Sequence, residues 1–291
     1  MLLFDHWKVA FIGPGVMAEA MIAGVIRQKI VSAENIYAAG PRQERLQQLE
    51  DKYGIKGTTE NADAARQADV VVLSVKPQRL ERVLSGMQGA IQPNALVLSI
   101  VAGASIEKIS NGLLHKNVVR SMPNTPAQIG EGITVWTASP EVNADQLEMA
   151  RRILLALGDE VFVEEESYLD MATALSGTGP AYVFLFMEAM VDAGVHLGFP
   201  RRIAEQLVAQ TVRGSVDYYT KRDEAVHLAR LRNQVTSPGG TSAAALYYLE
   251  KAGFRTALSR AIWAAYERSI ELGRGDKAHP PEGPEAGINS A

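Results

Sequence analysis

The turn Gly13-Pro14-Gly15-Val16-Met17-Ala18 stands between an apolar run, Lys8 to Ile12, and an amphipathic stretch, Met17 to Gln28. No other segment limits the possible folds as much. A G-x-G-x-x-A pattern at a strand-to-helix junction lets the chain turn tightly at Gly13. It also brings the backbone close to a pyrophosphate at Gly15 and lets helix and strand meet at Ala18. The free N–H groups and the dipole of the helix start then attract phosphate. The pattern alone also fits an ordinary Gly-Pro-Gly turn, so the segments that follow carry the decision. Asn35 to Ala39 reads as a second strand and Gln43 to Tyr53 as a helix. Val70 to Val75 is almost continuously β-branched, as in a strand covered on both faces, and Leu96 to Val101 repeats that character. Val118 to Arg120, Ile133 to Trp136 and Val161 to Val163 are shorter strand candidates, with a helix at Asn143 to Leu157. Strands alternating with helices imply right-handed crossovers and a mostly parallel sheet. The fold class is α/β, with an N-terminal Rossmann dinucleotide-binding domain.

From about Glu166 the strand-like runs stop. Helices are expected at Ala181–His196, Arg201–Tyr219, Asp223–Arg232, Thr241–Lys251 and Phe254–Leu272, broken by Gly and Pro. A boundary near Glu164–Ser167 gives a dinucleotide-binding domain over 1–165 and an all-α domain over 166–272. The Gly- and Pro-rich remainder, 273–291, is expected to be disordered. Apolar positions such as Phe184, Met187, Met190 and Val191 suit either a subunit interface or ordinary core.

The 291 residues suffice for two cores without disulfide or metal. With no cysteine, disulfides, thiolate metal sites and thiol catalysis are excluded. His6, His115, His196, His227 and His279 are scattered without ligand spacing, so no metal is expected. A net charge of −4 gives no electrostatic case for nucleic acid or an anionic membrane. No apolar run is expected to span a bilayer. Met1 to Trp7 carries Asp5 and His6 and lacks the pattern of a signal peptide, so the expected compartment is the cytoplasm.

Cofactor choice is read at the end of the second strand, Ala38-Ala39-Gly40-Pro41-Arg42. NAD enzymes of this fold place an acidic residue there for the ribose hydroxyls. Here no carboxylate stands at that position, and Arg42 with Arg45 suits a 2′-phosphate, two solvated arginines being the ordinary alternative. NADPH is the expected cofactor, with NADH as second choice. Ligands of an open parallel sheet sit beyond the carboxyl ends of its strands. Ser74-Val75-Lys76-Pro77 and Val101-Ala102-Gly103 therefore border the nicotinamide, with Lys76 either an active-site cation or a plain strand-end lysine.

In the helical part, Thr236-Ser237-Pro238-Gly239-Gly240-Thr241-Ser242 comes just ahead of a helix. Exposed backbone N–H groups at such a start form a pocket for a small anion, a carboxylate above all. Plain N-capping by Ser or Thr is the alternative, and the two can coexist. Ser176-Gly177-Thr178-Gly179-Pro180 is a second break, suited to close helix packing or to ligand contact.

Together these segments resemble pyrroline-5-carboxylate reductase along nearly the whole chain. The matching pieces are Gly13-Pro14-Gly15, Val75-Lys76-Pro77, Arg120-Ser121-Met122-Pro123-Asn124-Thr125-Pro126, Leu175 to Tyr182 and Val235 to Ser242. The resemblance implies NADPH-dependent reduction of 1-pyrroline-5-carboxylate to L-proline. It also implies a C-terminal dimerisation domain, with the active site between one subunit's nucleotide domain and helices of the dimer. Family members often assemble dimers into larger rings. By resemblance, Gly13, Gly15, Val16 and Met17 match the phosphate loop, and Asn61 matches a position near the adenosine half. Ser74, Lys76 and Pro77 match the wall by the nicotinamide. Ser237, Gly239, Gly240, Thr241 and Ser242 match the carboxylate loop, and Glu166 matches an acid lining the substrate pocket.

Two departures stand out. Thr241-Ser242 replaces the usual Thr-Thr, and His227 to Asn233 lacks the customary proline and acid. The expected substrate is a cyclic imine carboxylate, held by the amides near Gly240 and Thr241, with Ser242 orienting the proton on the ring nitrogen. Reduction of another cyclic imine acid is the nearest alternative, and a non-catalytic nucleotide-binding regulator is another. A β-hydroxyacid dehydrogenase would need a lysine on the helix opening its second domain, and none occurs from Tyr168 to His196.

Overall fold

The computed structural model describes residues 6–222 and 224–274. Met1–Asp5, Asp223, His279 and the expected tail beyond Arg274 lie outside the described residues. Gly273 and Arg274, assigned to that tail, instead close the last helix. The chain divides into two compact units, one of Met1–Thr178 with Ala265 onward, the other of Gly179–Ala264.

Eight strands make one sheet in the first unit: β1 (Val9–Ile12), β2 (Ile36–Ala39), β3 (Lys56–Thr58), β4 (Val70–Leu73), β5 (Leu96–Ser99), β6 (Val118–Met122), β7 (Gly132–Ala138) and β8 (Gly158–Phe162). Their order is β3-β2-β1-β4-β5-β6-β7-β8. The first six are parallel, β7 runs antiparallel to β6, and β8 is parallel to β7. The order reverses between β1 and β4, so a crevice opens beyond Ile12 and Leu73, where this kind of sheet takes its ligand. The strand at Val70 ends at Leu73, before the Ser74–Val75 included in the sequence reading. The strand read at Val161–Val163 begins earlier, at Gly158.

Both faces of the sheet are covered. The helices are α1 (Val16–Arg27), α2 (Gln43–Tyr53), α3 (Asn61–Gln67), α4 (Leu80–Met87), α5 (Ile106–Leu113) and α6 (Ala144–Leu155). Strand residues alternate between two cores, as the period of a pleated strand requires. Val9, Phe11, Val70 and Val72 join Met21 and Ile22 of α1, Leu46 of α2 and Ile153 of α6. Ala10, Ile12, Val71 and Leu73 join Ala64 of α3, Leu84 of α4 and Ile109 of α5. The continuous β-branched runs follow from this two-sided burial.

The remaining helices are α7 (Tyr168–Ala172), α8 (Gly179–His196), α9 (Arg201–Thr220), α10 (Leu228–Gln234), α11 (Thr241–Lys251) and α12 (Phe254–Arg274). α10 starts later than the helix read at Asp223–Arg232, because the His227 ring caps it by accepting from Ala229 N–H at 3.1 Å. Among the described residues of the second unit only a small apolar core of Val191, Ala204 and Val208 is buried, packed by Met187, Met190, Val195 and Val212. Phe184, Leu185 and Phe186 are exposed. By length and composition the segment Tyr168–His196 is apolar enough to cross a membrane, contrary to the sequence reading, because one helical segment of 29 residues joins the apolar stretches on either side of Ser176–Thr178.

Candidate functional site

The turn after β1 is built around a backbone that only glycine adopts easily. Gly13 has φ +90°, and a β-carbon there would fall 2.5 Å from Val75 Cγ1. The Ser74 hydroxyl donates toward the carbonyls of Ile12 (2.9 Å) and Gly13 (3.0 Å), so this strand-end serine braces the turn. Gly15 is the N-cap of α1, and a β-carbon on it would meet nothing nearer than 3.9 Å, leaving space on its outer side. The first amides of α1, at Val16 and Met17, have no carbonyl within the helix to bond, and Val16 is exposed. Ala18 is fully buried where helix meets strand.

The end of β2 touches this turn directly. A β-carbon on Gly40 would lie 2.7 Å from Pro14 Cδ, so Gly40 makes room for the loop's proline. Arg42 is the N-cap of α2, exposed and without an ionic partner among the described residues. Arg45 is already engaged: its Nε donates to the Pro14 carbonyl at 3.0 Å and its guanidinium pairs with Glu19. Both arginines line a hollow of about 390 Å3 with Gln43, Glu44 and Gln48. Lys52, followed by Arg45, holds the Glu19 carboxyl down at about 2 against the opposing effect of its partial burial.

Asn61 opens α3, and its buried Oδ1 has no hydrogen-bond partner among the described residues. An orphaned buried amide oxygen is a site for a ligand donor, and with the open side of Gly15 it shows that these residues fit a bound dinucleotide. Val75 packs beside Gly13, while Lys76 and Pro77 start a short 3-10 turn, with Lys76 exposed and unpaired among the described residues. Ala102 is half-buried. Gly103 has φ +71°, and a β-carbon there would meet Gly273 N at 2.7 Å, so its backbone answers to the end of α12.

Glu166 is committed to its own chain. Its Oε1 accepts from Ile106 N–H at 2.8 Å, at the start of α5, and from Arg120 at 2.9 Å. Arg120, buried in β6, also donates to Asp170 at 2.9 Å, and Asp170 takes the Ser269 hydroxyl at 2.9 Å. The sequence reading passed over this hub, although an arginine inside an apolar strand signals a buried pair. The expected break at Ser176-Gly177 is instead a widened helical turn, Thr173–Gly177, with Thr178 N–H bonding the Thr173 carbonyl at 2.8 Å. Asn124 donates to the Ser176 carbonyl at 3.2 Å, and a β-carbon on Gly177 would lie 2.8 Å from Met122 Cε. Those contacts favour the packing reading at Gly177, whereas a β-carbon on Gly179 would meet nothing within 4 Å.

In the second unit, Gly239 has φ +69° and Gly240 is the N-cap of α11, its N–H turned to the Ser237 carbonyl at 3.0 Å. Among the described residues no side chain caps this helix. Capping by Ser237 or Thr241 is therefore not what this loop does, and the amides of Thr241 and Ser242 stand at a helix start that attracts anions. Thr241 is exposed and Ser242 half-buried. The residues read for the nucleotide lie in the first unit, and in the second Ser237 to Gly240 form the loop from which Thr241 and Ser242 open α11.

Comparison with known proteins adds a second line of evidence. The family profile described as pyrroline-5-carboxylate reductase dimerisation matches residues 166–272. One described as NADP oxidoreductase coenzyme F420-dependent matches residues 8–103. A pyrroline-5-carboxylate reductase of Synechocystis is 43% identical, over 92% of this chain and 98% of its own. One from Pseudomonas aeruginosa is 40% identical, over 91% and 96%. Among solved structures, a Plasmodium falciparum pyrroline carboxylate reductase with NADP bound has a TM-score of 0.84 at 33% identity, covering 92% of this chain and 99% of its own.

Proposed function

The chain belongs to the pyrroline-5-carboxylate reductase family and reduces 1-pyrroline-5-carboxylate to L-proline with NADPH, and from that premise we propose how its residues share the work. NADPH, when bound, supplies the hydride that adds to the ring carbon of the C=N bond. The amides of Val16 and Met17, beside the turn at Gly13 and Gly15, hold the pyrophosphate. Arg42 takes the 2′-phosphate, and NADH, which lacks it, is the weaker alternative. Asn61 meets the adenosine half, and Val75, Lys76, Pro77 and Ala102 wall the nicotinamide. Gly40 and Gly103 serve by packing, and Ser74 by bracing the turn.

The amides of Thr241 and Ser242 hold the substrate carboxylate, with Ser237, Gly239 and Gly240 shaping the loop. A ring C=N accepts hydride best when its nitrogen carries a proton, and the Ser242 hydroxyl holds that proton in place by hydrogen bonding. A hydroxyl is too weak an acid to supply it alone. Glu166 contributes through the oxygen that Ile106 and Arg120 leave free.

The observation that carries this reading is the uncapped start of α11 behind Gly239-Gly240, in a chain whose first helix opens on a phosphate turn. The test follows NADPH absorbance with the purified protein and 1-pyrroline-5-carboxylate, then with NADH and with the six-membered homologue, since Ser242 in place of threonine widens the pocket by a methyl. Saturable NADPH loss with proline as product is expected. Tight NADPH binding without turnover on either imine would sink the substrate assignment.

We also propose that dimers assemble into a larger ring, and that the protein works in the cytoplasm. The dimerisation match spans the apolar segment Tyr168–His196, which supports a second copy, rather than lipid, as the cover for its exposed face. Recovery in the supernatant without detergent, at a mass above that of a dimer, is the expected result.

A further inference from the structure

Arg45 reads from sequence as a second ligand for the 2′-phosphate, yet its geometry ties it to another part of the cofactor site. Its Nε donates to the carbonyl of Pro14, in the middle of the pyrophosphate turn, at 3.0 Å. The other side of its guanidinium is paired with Glu19, and its side chain is only 21% exposed. Glu19 is itself held by Lys52 at 2.8 Å and Tyr53 at 3.0 Å, so Arg45 is gripped by a carboxylate that cannot swing away. Pro14 has a second anchor in the contact of its ring with Gly40.

Glu19 lies in the first turn of α1, where an unpaired carboxylate would repel the pyrophosphate that the same turn attracts. Arg45 and Lys52 neutralise it there. Arg42, by contrast, is exposed with no partner among the described residues.

We propose that Arg45 is a positioning residue, fixed by Glu19, that holds the Pro14 carbonyl and thereby the pyrophosphate turn for either dinucleotide, while Arg42 alone discriminates the 2′-phosphate. The proposal rests on the assignment of NADPH as cofactor. A peptide group anchored through its carbonyl keeps the orientation of the amides that follow it. Loss of the anchor therefore weakens whatever those amides bind, with or without a 2′-phosphate. A ligand of the 2′-phosphate would instead lose only NADPH.

The test titrates the full-length protein with NADPH and with NADH, following cofactor fluorescence, for wild type, Arg42→Ala, Arg45→Ala and Glu19→Gln. Arg42→Ala is expected to weaken NADPH about tenfold and leave NADH unchanged. Arg45→Ala is expected to weaken both about tenfold, so the NADPH-to-NADH affinity ratio stays at the wild-type value. Glu19→Gln is expected to follow Arg45→Ala in direction. With saturating cofactor, kcat is expected to remain near wild type, placing the defect in KM for the dinucleotide. Loss of NADPH alone in Arg45→Ala would overturn the proposal, and so would unchanged affinity for both. If Arg45→Ala does not fold, Arg45→Lys keeps the charge but loses the Nε donor. It is expected to weaken both cofactors, and wild-type affinity for both would refute the proposal. Failure of the wild type itself to bind NADPH would strike the cofactor assignment instead.

Discussion

At the scale of single residues, glycines divide into those with open space beside them, such as Gly15, and those packed against the chain's own atoms, such as Gly13 beside Val75. The turn at Gly13 and Gly15 was legible because its spacing relative to the helix start is fixed by local geometry. Gly40 and Gly103 read as cofactor neighbours by position, but the space beside them is filled by Pro14 and Gly273. Nothing within a few residues of either position announces those partners. Ser242 is the residue on which the chemistry is staked. In the proposed mechanism, Ser242→Ala keeps the amide assigned to the carboxylate and removes the hydroxyl assigned to orienting the proton. Its kcat/KM should fall about 10²-fold with little change in the affinity for NADPH. Steady-state kinetics would show this, and an unchanged kcat/KM would remove Ser242 from the mechanism.

At the scale of elements, the buried apolar strands and the helices Gln43–Tyr53 and Thr241–Lys251 were readable because their hydrophobic pattern and end signals agree. β3 was missed because Lys56-Gly57-Thr58 is a short edge strand with no apolar run. The turn at Thr173–Gly177 was misread because two glycines in four residues suggest a break, whereas here Asn124 supplies a bond to the widened turn. The end of α5 offers a pH test. His115 is buried, its Nε2–H donating to the Ala95 carbonyl at 2.7 Å, and burial pushes its pKa below the ordinary 6.5. In the unfolded chain the ring takes up a proton as pH falls through 6.5, while the folded ring stays neutral until lower pH. The stability tied to this group is therefore present above pH 6.5 and is lost progressively as pH drops toward the lowered folded value. Urea midpoints at pH 7.5 and 5.5 should differ less in His115→Gln than in wild type. An equal difference would mean that other groups set the pH dependence.

At the scale of the whole molecule, the change from strands to helices was visible near Glu166, since strand composition stops there and β8 ends at Phe162. What covers the helices was not visible, because an interface and a core share one composition. Phe184 proved exposed and Val191 buried, although both sit on the same helix and read alike. Tyr182, Leu185, Phe186 and Met190 of α8 line an apolar hollow of about 710 Å3 with Leu249 and Leu258. That surface lies within 166–272, the segment matched by the dimerisation profile, so we expect a second copy to cover it. Phe186→Glu should shift the sedimenting species to the mass of one chain and abolish turnover, as read by analytical ultracentrifugation with an activity assay. An unchanged mass would place the interface elsewhere.

The unit that carries the phosphate turn is not one stretch of chain. Its loop after β5 closes on Gly273, and Asp170 receives the hydroxyl of Ser269. On the ribosome, the strands of this unit emerge well before the segment that closes on them. The unit is therefore complete only once Gly273 has been made, and a fragment ending before Ala265 leaves the nascent sheet without that buttress.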